Sequence, residues 1–351
     1  MSAARLRVAV LGGGTVGREV VRAFDEAPER LQVHGGARLE LVGVAVRDVE
    51  RARARGLPAE LLTDAPAHLV ADPETDVIVE LMGGDEPAHT LIAAALAAGK
   101  SVVTANKHVV AHHGAELEAV ARRTGAALRF EASVGGGIPV LGPLAAELAA
   151  NRVTSVTGIM NGTTNYILTA MSEEGREYDD ALAAAQAAGY AEADPTGDVQ
   201  GHDAVNKLVI LARLAFGAWI EPSDVVTIID EGPGNGRPGI TGVTSTEIAS
   251  ARAASAVIKL LARAEGRPDG ITASVLAARV PVHSPLGMTA GVLNRIEIEA
   301  GPLGTVAFSG PGAGGAATAS AVLGDLLSIA RGAGSTWAGL PPAVALVGSG
   351  R

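Results

Sequence analysis

Between Gly189 and Lys207 the chain reads Gly-Tyr-Ala-Glu-Ala-Asp-Pro-Thr-Gly-Asp-Val-Gln-Gly-His-Asp-Ala-Val-Asn-Lys. Glu192, Asp194, Asp198, Asp203 and Lys207 fall within 16 residues of a chain that is only 19% charged. Pro195 and Gly197 interrupt any helix begun upstream. From Asp203 the apolar spacing of Val205, Leu208, Leu211, Ala212 and Leu214 predicts a helix. Asp203 and Lys207 stand at i and i+4 on that helix, within reach of each other. Their face borders the apolar stripe, so the pair is expected to point inward. An amine held against a carboxylate can exchange a proton with an alcohol or a carbonyl. A surface ion pair after an acidic loop has the same pattern. Of the 28 Lys and Arg residues, only Lys100, Lys107, Lys207 and Lys259 are lysines. Arginine keeps its proton throughout the working pH range, whereas lysine can release it. Lys207 is therefore the first candidate for proton transfer.

These residues need a scaffold, and the N-terminal sequence describes one. Leu6 to Leu11 is a short buried strand that runs into Gly12-Gly13-Gly14-Thr15-Val16-Gly17 and then a helical segment. This is a G-x-G-x-x-G turn in its strand–turn–helix setting, which binds the pyrophosphate of a dinucleotide at the helix N-terminus. Gly12 suits the tight turn, Gly14 the approach of the phosphate, and Gly17 the packing of helix on strand. A loop from Pro28 to Gly36 precedes a second strand, Leu39 to Val46, after which Arg47-Asp48, Arg51, Arg53 and Arg55 follow. An acid at this position holds the 2′-hydroxyl of NAD, and an arginine accepts the 2′-phosphate of NADP. The arginines favour NADP(H) over NAD(H), with Asp48 as the counter-argument. Further strands are expected at Asp76–Met82, Lys100–Thr104 and Ala127–Phe130, and a helix at Thr90–Ala98. Ala105-Asn106-Lys107 then lies at the C-terminal end of a parallel strand, where such folds bind ligands.

Glu131-Ala132-Ser133-Val134-Gly135-Gly136-Gly137-Ile138-Pro139 is a bent loop with many carbonyls outside any ladder. With Glu131 it reads either as a cage of hard oxygen ligands or as a glycine hinge between domains. Arg152 to Met160 is a strand opening a second domain. Asn161-Gly162-Thr163-Thr164-Asn165-Tyr166 then turns into a helix with a threonine as the expected cap.

Composition narrows the possibilities. The 351 residues suffice for two domains. Zero cysteines exclude disulfides, thiolate metal sites and thiohemiacetal chemistry. A net charge of -10 argues against a nucleic-acid partner. No apolar run is long enough to span a membrane, and a cytoplasmic protein is expected. A short-chain dehydrogenase would need Tyr and Lys four apart, yet Tyr166, Tyr178 and Tyr190 precede Ala170, Leu182 and Asp194.

Over nearly its full length the chain resembles homoserine dehydrogenase. The resemblance is carried by the glycine turn, Ala105-Asn106-Lys107, Glu131 to Pro139, Met160 to Leu168, Gly189 to Pro195, Asp203, Lys207, and Gly310-Pro311-Gly312-Ala313-Gly314-Gly315. It implies reversible NAD(P)H-dependent reduction of L-aspartate 4-semialdehyde to L-homoserine. Lys207 would then be the proton donor, with Lys107 beside it at the nicotinamide and substrate. Glu192 and Asp203 would bind the substrate. Gly12, Gly14, Thr15, Val16, Gly17, Arg47, Lys107, Gly189, Glu192 and Gly314 would contact the cofactor. Glu131 and the carbonyls of Val134, Gly136 and Ile138 would hold a monovalent cation, Na⁺ or K⁺.

The expected architecture is α/β: a Rossmann-like parallel-sheet domain over residues 1–140 and an α+β substrate and dimerisation domain over 141–300. Residues 301–351 would return to the first domain. A homodimer or a dimer of dimers is expected. Many bacterial members carry a C-terminal ACT regulatory domain, whereas here about 35 residues follow Gly315. Regulation by threonine through such a domain is not expected. Glu231 to Pro238 is a Gly/Pro-rich insertion of open role. The competing function classes are a non-catalytic NADP(H)-binding sensor, which has no use for the Asp203/Lys207 pair, and a related amino-acid dehydrogenase with another substrate.

Overall fold

The computed structural model describes residues 5–26, 31, 36–230 and 232–343. Most of the loop Pro28–Gly36, Glu231 of the insertion and the last eight residues lie outside the described residues. The chain forms two compact units, one of Met1–Ala145 with Ala313–Pro342 and one built on Ala146–Gly312.

In the first unit, β1 (Arg5–Leu11) leads through the glycine turn into α1 (Thr15–Glu26), followed by β2 (Arg38–Ala45) and α2 (Val49–Ala54). Then come β3 (Leu62–Thr63), α3 (Pro66–Ala71), β4 (Val77–Glu80), α4 (Ala88–Ala97), β5 (Ser101–Thr104), α5 (Lys107–Thr124), β6 (Leu128–Arg129) and α6 (Leu141–Ala145). The strands are parallel in the order β3-β2-β1-β4-β5-β6. Helices on both faces explain why β1 and β4 read as continuous apolar runs; Val8 to Leu11 and Val77 to Val79 are buried. The order reverses direction between β1 and β4, and ligands bind outside the carboxyl ends of strands at such a point.

The helix α13 (Gly315–Ala330) closes this unit. Its Ala319, Val322, Leu326 and Ile329 join Val20, Val21 and Val103 in one core. Asp325, itself buried, pairs with Arg129 at 2.7 Å and accepts the Glu131 N–H at 2.8 Å. Beyond α13 the segment covers the edge strand: Thr336 donates its N–H to Leu128 O at 3.0 Å, and buried Trp337 packs on Phe130 at 5.3 Å between ring centroids. The outer edge of β6 is thereby paired.

The second unit runs β7 (Arg152–Ile159), α7 (Gly162–Glu174), α8 (Tyr178–Ala187), α9 (Thr196–Val199) and α10 (His202–Phe216). It continues with α11 (Ser245–Ala253), β8 (Ala256–Arg267), β9 (Gly270–Pro281), α12 (Pro285–Met288), β10 (Leu293–Gly301) and β11 (Gly304–Pro311). Its sheet is antiparallel, ordered β11-β10-β7-β8-β9. Alternate residues such as Val156, Ile258, Leu260, Val275, Ile296 and Ile298 are buried. The intervening positions carry polar groups, including the ion pair Arg295–Glu297 at 2.6 Å.

Two expected boundaries move. The break at 140/141 falls at 145/146, because the Glu131 carboxylate accepts the N–H groups of Val140, Leu141 and Gly142 and ties α6 to the first unit. The break at 300/301 lies inside a hairpin: β10 pairs with β11 through Ala300↔Gly304. Residues 301–312 therefore belong to the second unit, and the chain returns only from Ala313. The insertion Gly232–Pro238 is a series of turns in which Gly234 donates its N–H to Glu247 Oε1 at 3.2 Å. It delivers Ile240, whose N–H reaches Val199 O at 2.8 Å and so braces the end of α9.

The glycine turn yields a stability test. A side chain at Gly17 would collide with the Gly12 carbonyl oxygen, whereas one at Gly14 meets open space. Gly17→Ala should lose about 1–3 kcal/mol, the usual penalty of overpacking. Gly14→Ala should stay within about 0.5 kcal/mol of the parent. Thermal melts of the two variants measure the contrast, and equal melting temperatures would contradict it.

Candidate active site

The first unit presents a nucleotide cleft. Gly12 leaves β1 with φ +113° and donates its N–H to Ala45 O at 2.8 Å, turning the chain toward the N-terminus of α1. A cleft of about 650 Å³ opens beside it, lined by Gly12, Gly14, Arg47, Arg51, Arg55 and Glu86. Thr15 begins α1, and Val16 packs half-buried against the core. Gly314 precedes α13 with φ +127°, and a side chain on the next residue, Gly315, would touch Thr15 Cγ2 at 2.7 Å. The start of α13 thus lies against the glycine turn, which the sequence alone did not reveal. Asp48, the acid that kept NAD open, caps α2: its Oδ1 accepts the Arg51 N–H at 2.9 Å. Arg47 beside it is exposed.

Lys107 is the first residue of α5 and is half-buried. A chain of buried polar groups fixes its turn. Asn106 caps the helix by accepting the Val109 N–H at 3.2 Å, and its Nδ2 donates to Gly84 O at 2.8 Å. The Asn106 N–H donates to Thr104 Oγ1 at 2.9 Å, and that hydroxyl donates to Glu80 Oε2 at 2.6 Å. Glu80 is fully buried at the end of β4 and also accepts the Met82 N–H at 2.7 Å. Burial raises its pKa, against the pull of these hydrogen bonds. Glu80 received no role from sequence, since a single acid at the end of an apolar strand carries no spacing signal.

In the glycine loop, the Glu131 carboxylate accepts N–H groups at 2.8, 2.8 and 2.7 Å from the start of α6. Burial nevertheless raises its pKa, with nearby Asp325 adding to the effect. The turn's own backbone bonds use the carbonyls of Phe130, Glu131 and Gly135. The Val134, Gly136 and Ile138 carbonyls are a different set, so the loop's chemistry fits a hard cation bound by oxygen.

The second unit assembles the acid–lysine cluster. α10 carries Asp203 and Lys207 one turn apart, and Lys207 Nζ donates to Asp203 Oδ2 at 2.7 Å and to Met160 O at 2.6 Å. Lys207 is only 7% exposed, so the inward-pointing pair is a fact of the fold. Asn161, and not a threonine, caps α7: its Oδ1 accepts the Thr164 N–H at 2.8 Å. Asparagine reaches farther, and its Nδ2 remains free to bind anions. That amide donates to Asp203 Oδ2 at 2.9 Å and to Asp198 Oδ1 at 2.7 Å. Burial raises the pKa of Asp198, opposed by the Asn161 hydrogen bond, while the Asp203 charge pushes it further up. Sequence reasoning counted Asp198 among the acids and left it without a role. Its place depends on Asn161, which is distant in the chain.

Glu192 is exposed, and its side chain lies outside these bonds. The loop carrying Gly189 and Glu192 is fastened over α7 by Thr163 Oγ1, which donates to Tyr190 O at 2.7 Å. The other two lysines have structural tasks. Lys100 Nζ donates to Asp72 O, and buried Lys259 donates to Asn165 Oδ1 at 2.9 Å and Thr289 O at 2.7 Å. Burial lowers the Lys259 pKa to about 8. Lysine scarcity thus marks burial and not proton transfer as such.

Two family models match the chain, homoserine dehydrogenase over residues 139–327 and the homoserine dehydrogenase NAD binding domain over 12–131. Homoserine dehydrogenases of Mycobacterium leprae and Corynebacterium glutamicum are 47% and 45% identical over 329 residues, covering 92% of this chain and 72% of theirs. The crystal structure of a homoserine dehydrogenase from Thiobacillus denitrificans superposes with a TM-score of 0.87 at 39% identity, over 93% of this chain and 73% of that one. A hyperthermophilic archaeal homoserine dehydrogenase mutant in complex with NADPH gives a TM-score of 0.75 at 28% identity, over 93% and 98% of the two chains. With a parallel nucleotide-binding sheet, an antiparallel second sheet and this agreement across both units, the chain belongs to the homoserine dehydrogenase family, oxidoreductases that act on a CH–OH group with NAD(P).

Proposed function

We propose that Lys207 is the proton donor in reduction of L-aspartate 4-semialdehyde to L-homoserine. The buried Lys207–Asp203 pair with Met160 O is the observation that carries this role. When bound, the nicotinamide would supply the hydride for the aldehyde carbon. Lys207 Nζ gives its proton to the carbonyl oxygen as the C=O bond becomes C–OH, and takes one back in the reverse direction. Asp203 and the Met160 carbonyl hold two of the three donor directions of Nζ, which leaves the third for the substrate oxygen. Glu192 and Asp203 bind the substrate ammonium, and backbone donors near Gly162 take its carboxylate. Lys107 acts at the nicotinamide and substrate, held in place by the Asn106 cap.

The cofactor is NADP(H) in preference to NAD(H). Arg47 grips the 2′-phosphate, and the Asp48 carboxylate is engaged in capping α2, which supports this choice. The archaeal relative solved with NADPH points the same way. Gly12, Gly14, Thr15, Val16, Gly17, Gly189, Glu192 and Gly314 are the nucleotide contacts of this reading. Glu131 with the carbonyls of Val134, Gly136 and Ile138 binds Na⁺ or K⁺. The protein acts in the cytoplasm as a homodimer or dimer of dimers, paired through the open face of the five-stranded sheet.

Lys207→Arg preserves the charge and removes the exchangeable proton. Turnover should fall on the order of 10²–10⁴-fold, measured as NADPH oxidation with the semialdehyde. Near-normal kcat would leave Lys207 only a structural partner of Asp203. Arg47→Ala should raise KM for NADPH and leave that for NADH nearly unchanged, because only NADPH offers a phosphate to the guanidinium. Equal effects on both would remove Arg47 from the 2′-phosphate.

A further inference from the structure

The first unit gathers histidines at a place the reaction does not use. Four of the chain's 8 histidines, His89, His108, His112 and His113, lie on α4 and the first turns of α5. Among the described residues, His89, His113 and Glu116 each offer a ligand atom within 4.8 Å of the others. The His89 and His113 rings stack with centroids 3.8 Å apart. His89 Nε2 is buried, makes no hydrogen bond and sits 3.4 Å from Glu116 Oε2.

The opposite nitrogens are already oriented. His89 Nδ1 lies 3.2 Å from Glu86 Oε1, and His113 Nε2 lies 2.8 Å from Asp85 Oδ1. A carboxylate behind each imidazole is the arrangement that fixes the tautomer and raises the basicity of a metal-ligating histidine. It leaves His89 Nε2, 3.4 Å from Glu116 Oε2, and the second ring nitrogen of His113 as the ligating atoms.

We propose that His89, His113 and Glu116 bind a divalent transition-metal ion of the zinc class, with water completing a four-coordinate shell. Two imidazoles and one carboxylate suit Zn²⁺ and Co²⁺, whereas Mg²⁺ and Ca²⁺ prefer all-oxygen sites. Metal–nitrogen bonds of about 2.0–2.1 Å require the three ligand atoms to draw together. The stacked rings must therefore tilt apart, a rotation of two half-buried side chains, one near the start of α4 and one in the second turn of α5. The ion would clamp α4 to α5, directly behind Glu86 and Pro87, which line the nucleotide cleft. This site is separate from the oxygen-lined Glu131 loop in both residues and ligand type.

Tag-free protein is stripped with EDTA, returned to chelator-free buffer and titrated with Zn²⁺ by calorimetry. A parallel titration with Co²⁺ is followed by its visible absorption. One saturable site per chain is expected, with a visible Co²⁺ spectrum and a melting temperature that rises with Zn²⁺. His89→Gln and His113→Gln should each weaken Zn²⁺ by at least about ten-fold. Asp85→Asn, acting behind His113, should weaken it by roughly 10–100-fold. Metal-free melts of the variants separate ligand loss from misfolding. If a histidine variant does not fold, Glu116→Gln, whose side chain is 59% exposed, carries the same test. Absence of a saturable site, or Zn²⁺ affinity unchanged in the folded variants, would falsify the proposal.

Discussion

A lysine amine kept away from water is the constraint on which the second unit depends. Moving a charge out of water costs several kcal/mol unless partners replace its hydration. Lys207 meets this with a carboxylate and a backbone carbonyl, both within 2.7 Å. The carboxylate must be held in turn, and Asn161 does this while capping α7. The same amide reaches Asp198, so one side chain ties three elements, α7, α9 and α10, to the lysine. The end of β7 supplies the remaining acceptor through Met160. Removing any member leaves a buried polar group without its partner, which is why the cluster is built from interdependent parts.

The first unit obeys a different constraint, the close approach of backbone to backbone. The turn after β1 packs so tightly on α1 that a side chain at Gly17 would meet the Gly12 carbonyl. At Gly14, by contrast, the space beside the backbone is open at the N-terminus of α1. Around this turn the polar positions are buried and chained: Glu80, Thr104 and Asn106 link the ends of β4 and β5 to the first turn of α5. The helix that returns from the far end of the sequence completes the arrangement, with its apolar face in the core and its first residues against Thr15.

Much of this was legible in the sequence because it rests on local rules. Strand, glycine turn and helix follow from apolar runs and backbone freedom. The Asp203–Lys207 contact follows from helical geometry, which fixes i and i+4 on one face whatever the rest of the chain does. The places of the arginines after β2 and of Asn106-Lys107 after β5 follow from the order of strands along the chain. The resemblance to the family rested on these same segments.

Tertiary structure decided what depends on contacts far apart in the chain. Asn161 displaced the expected threonine cap because its amide had two carboxylates to meet, 37 and 42 residues onward. The domain boundary moved because Glu131 captures the N-terminus of α6, and β11 joined the second sheet because it pairs with β10. The lysine count could not tell Lys207 from Lys259, since both are buried and only their partners differ. His89 of α4 and His113 of α5 stand far apart in sequence and meet only when the two helices pack together. By itself the sequence determined the periodic elements and the residues carried on them, because those follow from local backbone geometry. Only the fold decided which side chains share a desolvated space, because burial and long-range hydrogen bonding belong to the packed chain and not to any segment of it.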